Sequence, residues 1–245
     1  GTNRYSYSFN DPVNKMDPSG NASCGSSIDG DSCDQILDRA DETREKVSRA
    51  STQAKQAAQR LKDGKGLGWF NGLLGFKARF EKSYGNEAFT VEGLNKFSDI
   101  ANAVSAGIGA RGEGVVLEHY GMAEALIRSK DPNASSAKVN AQMVAQFGPA
   151  KFANPDGSKG SYTERSRDAA GWAPPGMGKI ALDNGYKNKN AVHVLSHEGA
   201  HAFQNLKDHH GLVNNGYGRS GVQDAYKNNV AWENADSFSC AIVGC

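Results

Sequence analysis

The sequence predicts an α+β fold that is mostly helical, with a small edge sheet and a long helix near the N-terminus. Apolar residues recur at steps of three and four in several segments, and this spacing places them on one face of a helix. A shorter segment, residues 179–183, is predicted to form a strand. A chain of 245 residues is long enough for one good-sized domain with an appendage.

The long helix is predicted from Asp34 to about Lys62, and Gly64 lies just beyond its end. Small and apolar residues follow an alternating four-three step through this segment, which gives a thin seam made mostly of alanine. We expect this seam to pack closely against the protein's own domain. Its positions are Ile36, Ala40, Thr43, Val47, Ala50, Ala54, Ala57 and Leu61.

Three more helices are predicted in the middle of the chain. Thr90 is the N-cap of the first of these helices, which carries apolar residues at helical spacing. The other two cover residues 117–129 and 136–147, with a turn at 131–133 between them. The strand at 179–183 precedes the histidine-rich segment, and in zinc proteases an edge strand in this position aligns an extended substrate.

The composition argues against several classes of partner. A formal net charge of +1 gives no electrostatic reason to bind nucleic acid or an anionic membrane. No apolar run approaches the ~18 residues of a membrane span, and no secretory signal peptide is predicted at the start. The cysteines form two close pairs, Cys24 with Cys33 and Cys240 with Cys245. Two short disulfide loops and free thiols are both compatible with this spacing.

The run His197-Glu198-Gly199-Ala200-His201 is the motif that carries chemistry. On a helix, its two histidines lie one turn apart, so both imidazoles can hold one zinc ion. Glu198 then stands beside the metal and can take a proton from water. The apolar stripe of this helix lies about 150° from the histidines. The stripe is expected to face the core and the histidines a cleft, and Asn188 or Asn190 is the predicted N-cap.

Two histidines do not complete a catalytic zinc site, which usually has three protein ligands. The extended pattern of the metzincins is absent, because Lys207 stands where their third histidine would be. The candidates for the third ligand are Asp208, His209 and His210, and less well Asn214. His193 lies one turn before His197 and is predicted to have a polar or supporting role.

Residues 1–20 match an ending of the form NRYxYxxNxPVNxxDPxG over residues 3–20. This segment resembles the close of an RHS repeat-associated core, after which a variable toxin domain follows. The resemblance implies an RHS end at 1–20, a linker and long helix at 21–68, and a toxin domain at 69–245. It also implies a secreted effector of the polymorphic toxin type, delivered into a target cell. Its partners would be an RHS carrier shell and a cognate immunity protein.

The motif HExxH is followed by Tyr217-Gly218 and by the segment Asn-Ala-Asp-Ser-Phe at 234–238. These motifs resemble those of the deuterolysin or aspzincin family of zinc metallo-endopeptidases, some of which are lysine-specific. The resemblance implies a zincin-like fold, Zn²⁺ as cofactor, and Asp208 as the third ligand across a loop insertion. It further implies that Tyr217 stabilises the oxyanion and that Asp236 binds substrate.

The chain departs from the family pattern at two positions. Asn214 stands where the family has its aspartate ligand, three residues before Tyr217, and Ser239 replaces a second acidic residue of the lysine pocket. The predicted function is a zinc-dependent hydrolase, an endopeptidase acting on proteins or peptides of the target cell. The alternatives are a zinc hydrolase that cuts peptidoglycan, a protease that cuts its own carrier near Gly20, and a non-catalytic binding module with a degenerate metal site.

Overall fold

The computed structural model of the chain is mostly helical, as predicted. It describes residues 23–24, 30–68, 72–109, 116–119, 131–147, 171–173, 179–182, 191–209 and 211–245, with single positions at 124, 127, 128 and 130. Seven α-helices lie in these ranges: α1 Gly30–Lys62, α2 Leu73–Tyr84, α3 Val91–Ile108, α4 Ser136–Phe147, α5 Ala191–Gln204, α6 Gly218–Lys227 and α7 Ala235–Val243. None of these helices is long and apolar enough to cross a membrane.

The helix predictions are confirmed at α1, α3 and α4. Thr90 caps α3 as predicted, because its hydroxyl accepts a hydrogen bond from the backbone N–H of Gly93 at 3.1 Å. The RHS-like segment 1–20, the two predicted N-cap asparagines of α5 and His210 lie outside the described residues.

A small sheet has the strands β1 Ser23–Cys24, β2 Val116–His119, β3 Gly171–Trp172 and β4 Lys179–Leu182, in the order β1-β2-β4-β3. β4 confirms the predicted strand, but it is an interior strand. It pairs with β2 in parallel and with β3 in antiparallel fashion, so the prediction of an edge strand is wrong. The predicted helix at 117–129 is also wrong over its first residues, because pairing with β4 draws them into β2.

The long helix α1 packs on α3 and α5 through its thin seam, as expected. Seven of the eight predicted seam positions are buried, and only Leu61, near the end of the helix, is exposed at 37%. The hydroxyl groups of Ser51 on α1 and Ser98 on α3 lie 2.7 Å apart, so the two backbones approach closely. α1 therefore shares one apolar core with the other helices.

Aromatic side chains fill the core between α2, α3 and α7. Phe80 is fully buried, and its ring lies 5.6 Å from Phe97 and 6.1 Å from Trp232 in edge-on geometry. Phe97 lies 5.6 Å from Phe238 on α7. Such pairs stabilise a core beyond the area they bury, by about 0.5–1.5 kcal/mol each. They hold α7 against the helices that support α5.

Helix α5 lies in the centre of the molecule, in contact with α1, α3 and α7. The predicted apolar stripe is buried, with Val192 at 2% and Leu195 at 1% exposure. The opposite face is buried as well, and His197 and His201 are only 4% and 7% exposed. α7 and the segment after α5 contact this face, through Asp236 on one side and through Leu206 and Asp208 on the other. That the face looks into a cleft stays a prediction.

Two glycines allow α3 and α5 to pack closely. A Cβ atom added at Gly199 would lie 2.9 Å from the side chain of Val104, and one added at Gly107 would lie 2.4 Å from the ring of Phe203. Val104 is fully buried and cannot retreat easily, and the ring of Phe203 is packed against the core. The small residues between the two motif histidines thus serve the packing of α5 on α3.

We expect the substitution Gly107→Ala to lower the free energy of unfolding by about 1–3 kcal/mol, because the ring of Phe203 has to move. Gly75→Ala is the matched control, since the nearest atom to its added Cβ is the Arg79 guanidinium at 3.6 Å. It should raise stability by up to about 1 kcal/mol through helix propensity. Urea denaturation measures both values, and equal effects of the two variants would contradict this packing.

Candidate metal centre

Helix α5 brings the two motif histidines together on its buried face. The Nε2 atoms of His197 and His201 lie 3.0 Å apart, and the two rings meet almost at right angles. Residues four apart on a helix are neighbours, so this approach follows from the motif spacing. Metal binding by this pair depends on which of the ring nitrogen atoms carry protons.

The partners of the Nδ1 atoms fix both tautomers. His201 Nδ1 lies 2.5 Å from the backbone carbonyl oxygen of Leu206, and His197 Nδ1 lies 3.2 Å from Oδ1 of Asp236. A carbonyl oxygen and an ionised carboxylate only accept hydrogen bonds, so both Nδ1 atoms donate. In the neutral imidazoles, both Nε2 atoms therefore present lone pairs.

Asp208 adds a third acceptor at the same point. Its Oδ1 lies 3.3 Å from His197 Nε2 and 3.4 Å from His201 Nε2. This oxygen is buried and has no hydrogen-bond partner. Three acceptors that converge without a donor repel one another unless a positive charge lies among them. The group His197, His201 and Asp208 has the donor atoms and the spacing to hold a metal ion.

A sharp chain reversal after α5 carries Asp208 back to the histidines. Asn205 adopts a left-handed conformation, with φ at 53°, and Leu206 N–H then donates to the carbonyl of Ala200 at 3.3 Å. This is the pattern of a helix ended by an αL residue. Lys207 is held next by backbone hydrogen bonds to Glu233 and Ala235, at 2.7 and 3.1 Å.

The charged side chains of the group strongly shift one another's pKa values. Burial lowers the pKa of His197, but the neighbouring carboxylates of Asp208, Asp236 and Glu198 outweigh it and raise the pKa to about 10. Burial raises the pKa of Asp208, yet the two histidines hold it well below its usual range. Without a metal, a proton on His197 thus supplies the positive charge that the three acceptors need.

Asp236 lies behind His197, on the side away from Asp208, and is 1% exposed. Besides His197, its Oδ1 accepts a hydrogen bond from His193 Nε2 at 2.8 Å, and its Oδ2 accepts one from the backbone N–H of Gly218 at 2.6 Å. Burial raises the pKa of Asp236, but the hydrogen bonds to His193 and His197 lower it below its ordinary value. This buried location supports a positioning role and gives no support to the predicted role in substrate binding.

The other predicted catalytic residues lie around the same point. Glu198 is 6% exposed, and its charge contributes to the raised pKa of His197. Tyr217 is 38% exposed, and its ring stacks on that of His197 with the centroids 5.3 Å apart. Because Gly218 N–H binds Asp236, the peptide after Tyr217 is tied to the carboxylate that orients His197.

Of the candidates for the third ligand that the structure describes, Asp208 is the residue that joins the two histidines. His209 does not belong to the group, and Asn214 is exposed, with its backbone in the left-handed region at φ 49°. The sequence did not reveal the carbonyl of Leu206 or the contact of His193 with Asp236. The second could have been inferred from helical spacing, because His193 and His197 share one face of α5.

Comparison of the chain with protein-family models, with curated proteins and with solved structures found no significant match.

We expect Asp236→Asn to weaken Zn²⁺ or Co²⁺ binding by about 10–100-fold, because His197 loses the negative acceptor that orients its ring. Competition with a metal-binding dye measures this affinity. Asp63→Asn makes the same chemical change at the exposed end of α1 and should leave the affinity unchanged. Wild-type affinity in Asp236→Asn would contradict the positioning role.

Metal binding should release about one proton per ion near pH 8, because the pKa of His197 is about 10 in the metal-free protein. Metal affinity should accordingly rise about tenfold per pH unit up to that pKa and then level off. Calorimetric titrations in buffers with different ionisation enthalpies count the protons. Binding near pH 8 without proton release would show that His197 is neutral before the metal arrives.

Proposed function

We propose that this protein is a zinc-dependent endopeptidase that hydrolyses peptide bonds. The convergence of three acceptor atoms carries the proposal. With metal–ligand distances of ~2.0–2.2 Å, the ligand atoms of a tetrahedral zinc site lie roughly 3.3–3.6 Å apart. The corresponding distances among the three acceptors are 3.0, 3.3 and 3.4 Å, so the triangle is close to the size that zinc requires.

The number and type of ligands favour a catalytic site over a structural one. Structural zinc is typically enclosed by four protein ligands that include cysteines, whereas catalytic zinc has three protein ligands and one open position. Among the residues that the structure describes, the group formed by His197, His201 and Asp208 has three members and no sulfur. This ligand count supports a fourth position that substrate or water would take.

Several residues of the chain would have separate roles in the hydrolysis. Bound zinc would polarise the scissile carbonyl and acidify water. Glu198 would take the proton from the attacking water and deliver it to the leaving amine. Tyr217, stacked beside His197 and partly exposed, would donate its hydroxyl to the negative charge that develops on the carbonyl oxygen. Asp236 and the carbonyl of Leu206 would keep both imidazoles in the tautomer that leaves Nε2 ready to bind the ion.

The setting that we propose is a toxin domain at the end of an RHS-type carrier, delivered into a target cell and held inactive in the producer by an immunity protein. The resemblance of residues 3–20 to the close of an RHS core supports this setting. The resemblance of HExxH, Tyr217-Gly218 and the segment 234–238 to the aspzincins supports the activity. Protein substrates are therefore the first to test.

We expect purified protein to hold one zinc ion per chain and to cleave a denatured protein mixture. Glu198→Gln should retain the metal but lower cleavage by at least about a hundredfold, because the general base is lost. Glu233→Gln is the matched control at an exposed position and should cleave normally. Plasma mass spectrometry gives the metal content, and peptide mapping gives the cut sites.

Other outcomes of this experiment identify the alternatives. Glu198-dependent cleavage of cross-linked peptidoglycan fragments, with protein left intact, would indicate a cell-wall hydrolase. A full-length carrier that is cut near Gly20 in wild type alone would indicate self-processing. Failure to retain zinc together with the absence of any Glu198-dependent hydrolysis would overturn the proposal and leave a binding module.

A further inference from the structure

A second group of possible metal ligands lies directly behind the first. It consists of His193, Asp236 and Cys240, whose ligand atoms all lie within 4.8 Å of one another. Cys240 Sγ is 3.8 Å from Oδ2 of Asp236, and His193 Nε2 is 2.8 Å from Oδ1. An imidazole, a carboxylate and a sulfur form a donor set that suits zinc and similar metals.

The sulfur of Cys240 is occupied in this structure, because it forms a disulfide with Cys245. A disulfide sulfur is a poor ligand, whereas a thiolate is a strong one. The two cysteines differ in access: Cys240 is 2% exposed, while Cys245 is an exposed residue at the end of the sequence. A reductant can therefore reach the bond from the side of Cys245.

We propose that reduction of the Cys240–Cys245 disulfide opens a second metal site, formed by His193, Asp236 and the thiolate of Cys240. The site would take zinc or a similar divalent ion. This inference does not depend on the proposed peptidase activity, since none of the three residues coordinates the ion of the first site.

The chemistry requires an external dithiol, which is the reductant. One of its thiolates attacks the sulfur of Cys245, the S–S bond breaks, and Cys240 leaves as a thiolate. The second thiol of the reductant then displaces Cys245 and closes the reductant's own disulfide. Two electrons pass to the protein, and the two cysteines are left as thiols or thiolates. Binding of the metal keeps Cys240 deprotonated and releases its proton to solvent, while His193 presents the lone pair of Nε2 to the ion and carries its proton on Nδ1.

The surroundings of Cys240 explain why a cation would be bound there. A free thiolate would stand 3.8 Å from the carboxylate of Asp236 in a buried place, where two negative charges repel strongly. A divalent ion between them removes this repulsion, and His193 completes the set from α5. Since Oδ1 of Asp236 also accepts the hydrogen bond of His197, the two sites would share one carboxylate.

Cobalt spectroscopy distinguishes the two sites, because only the second contains sulfur. We expect reduced protein in a Cys24→Ser, Cys33→Ser background to bind two Co²⁺ ions and to show a near-ultraviolet sulfur-to-cobalt charge-transfer band. The oxidised protein should bind one ion and lack the band. Cys245→Ser in the same background should show the band without any reductant, and Cys240→Ser should never show it.

The His201→Ala variant separates this result from the first site. It removes a ligand of the first site that does not contact Asp236, so the reduced variant should still bind one Co²⁺ ion and show the sulfur band. Reduced protein that binds one ion without a sulfur band would overturn the second site. A sulfur band that persists in Cys240→Ser would also overturn it.

Discussion

Three lone pairs that point at one another inside the protein are the constraint on which the rest of the structure depends. The Nε2 atoms of His197 and His201 and a buried oxygen of Asp208 converge there, and with both imidazoles neutral none of the three atoms is a hydrogen-bond donor. Such an arrangement is stable only around a positive charge. The helices that pack on α5 hold these three atoms close together and keep water from separating them.

Two hydrogen-bond acceptors behind the histidines determine where the Nε2 lone pairs point. If either the Leu206 carbonyl or the Asp236 carboxylate were replaced by a donor, the imidazole concerned would turn its lone pair away from Asp208. Both acceptors depend on distant parts of the chain. Leu206 is placed by the left-handed turn at Asn205, and Asp236 is placed by α7, whose aromatic packing against α2 and α3 fixes its distance from α5. The residues that could hold the metal are thus local in sequence, whereas their orientation is a tertiary property.

This division also explains what the sequence could predict. The two histidines lie on one helix, so their spacing alone predicts that their side chains meet. The thin seam of α1 was predicted from the spacing of its alanines. The position of Asp208 required a resemblance, because no local rule predicts where a chain goes after an αL turn. The covering of the histidine face and the pairing of residues 116–119 depend on contacts between distant segments. From the sequence, Asp236 was known only to be acidic, and the resemblance assigned it to substrate binding. Its burial behind His197 supports a positioning role instead.

The contacts of α5 with three other helices also link the binding and release of an ion to the folding and unfolding of the domain. His197 and His201 are almost fully buried on a helix that contacts α1, α3 and α7, so an ion bound to them would leave mainly when the domain opens. In the proposed setting of delivery into a target cell, a chain that crossed a membrane unfolded would leave its ion on the side where it was made. It would then have to refold around metal taken from the compartment that it enters, and the metal supply of that compartment would set when the proposed activity begins.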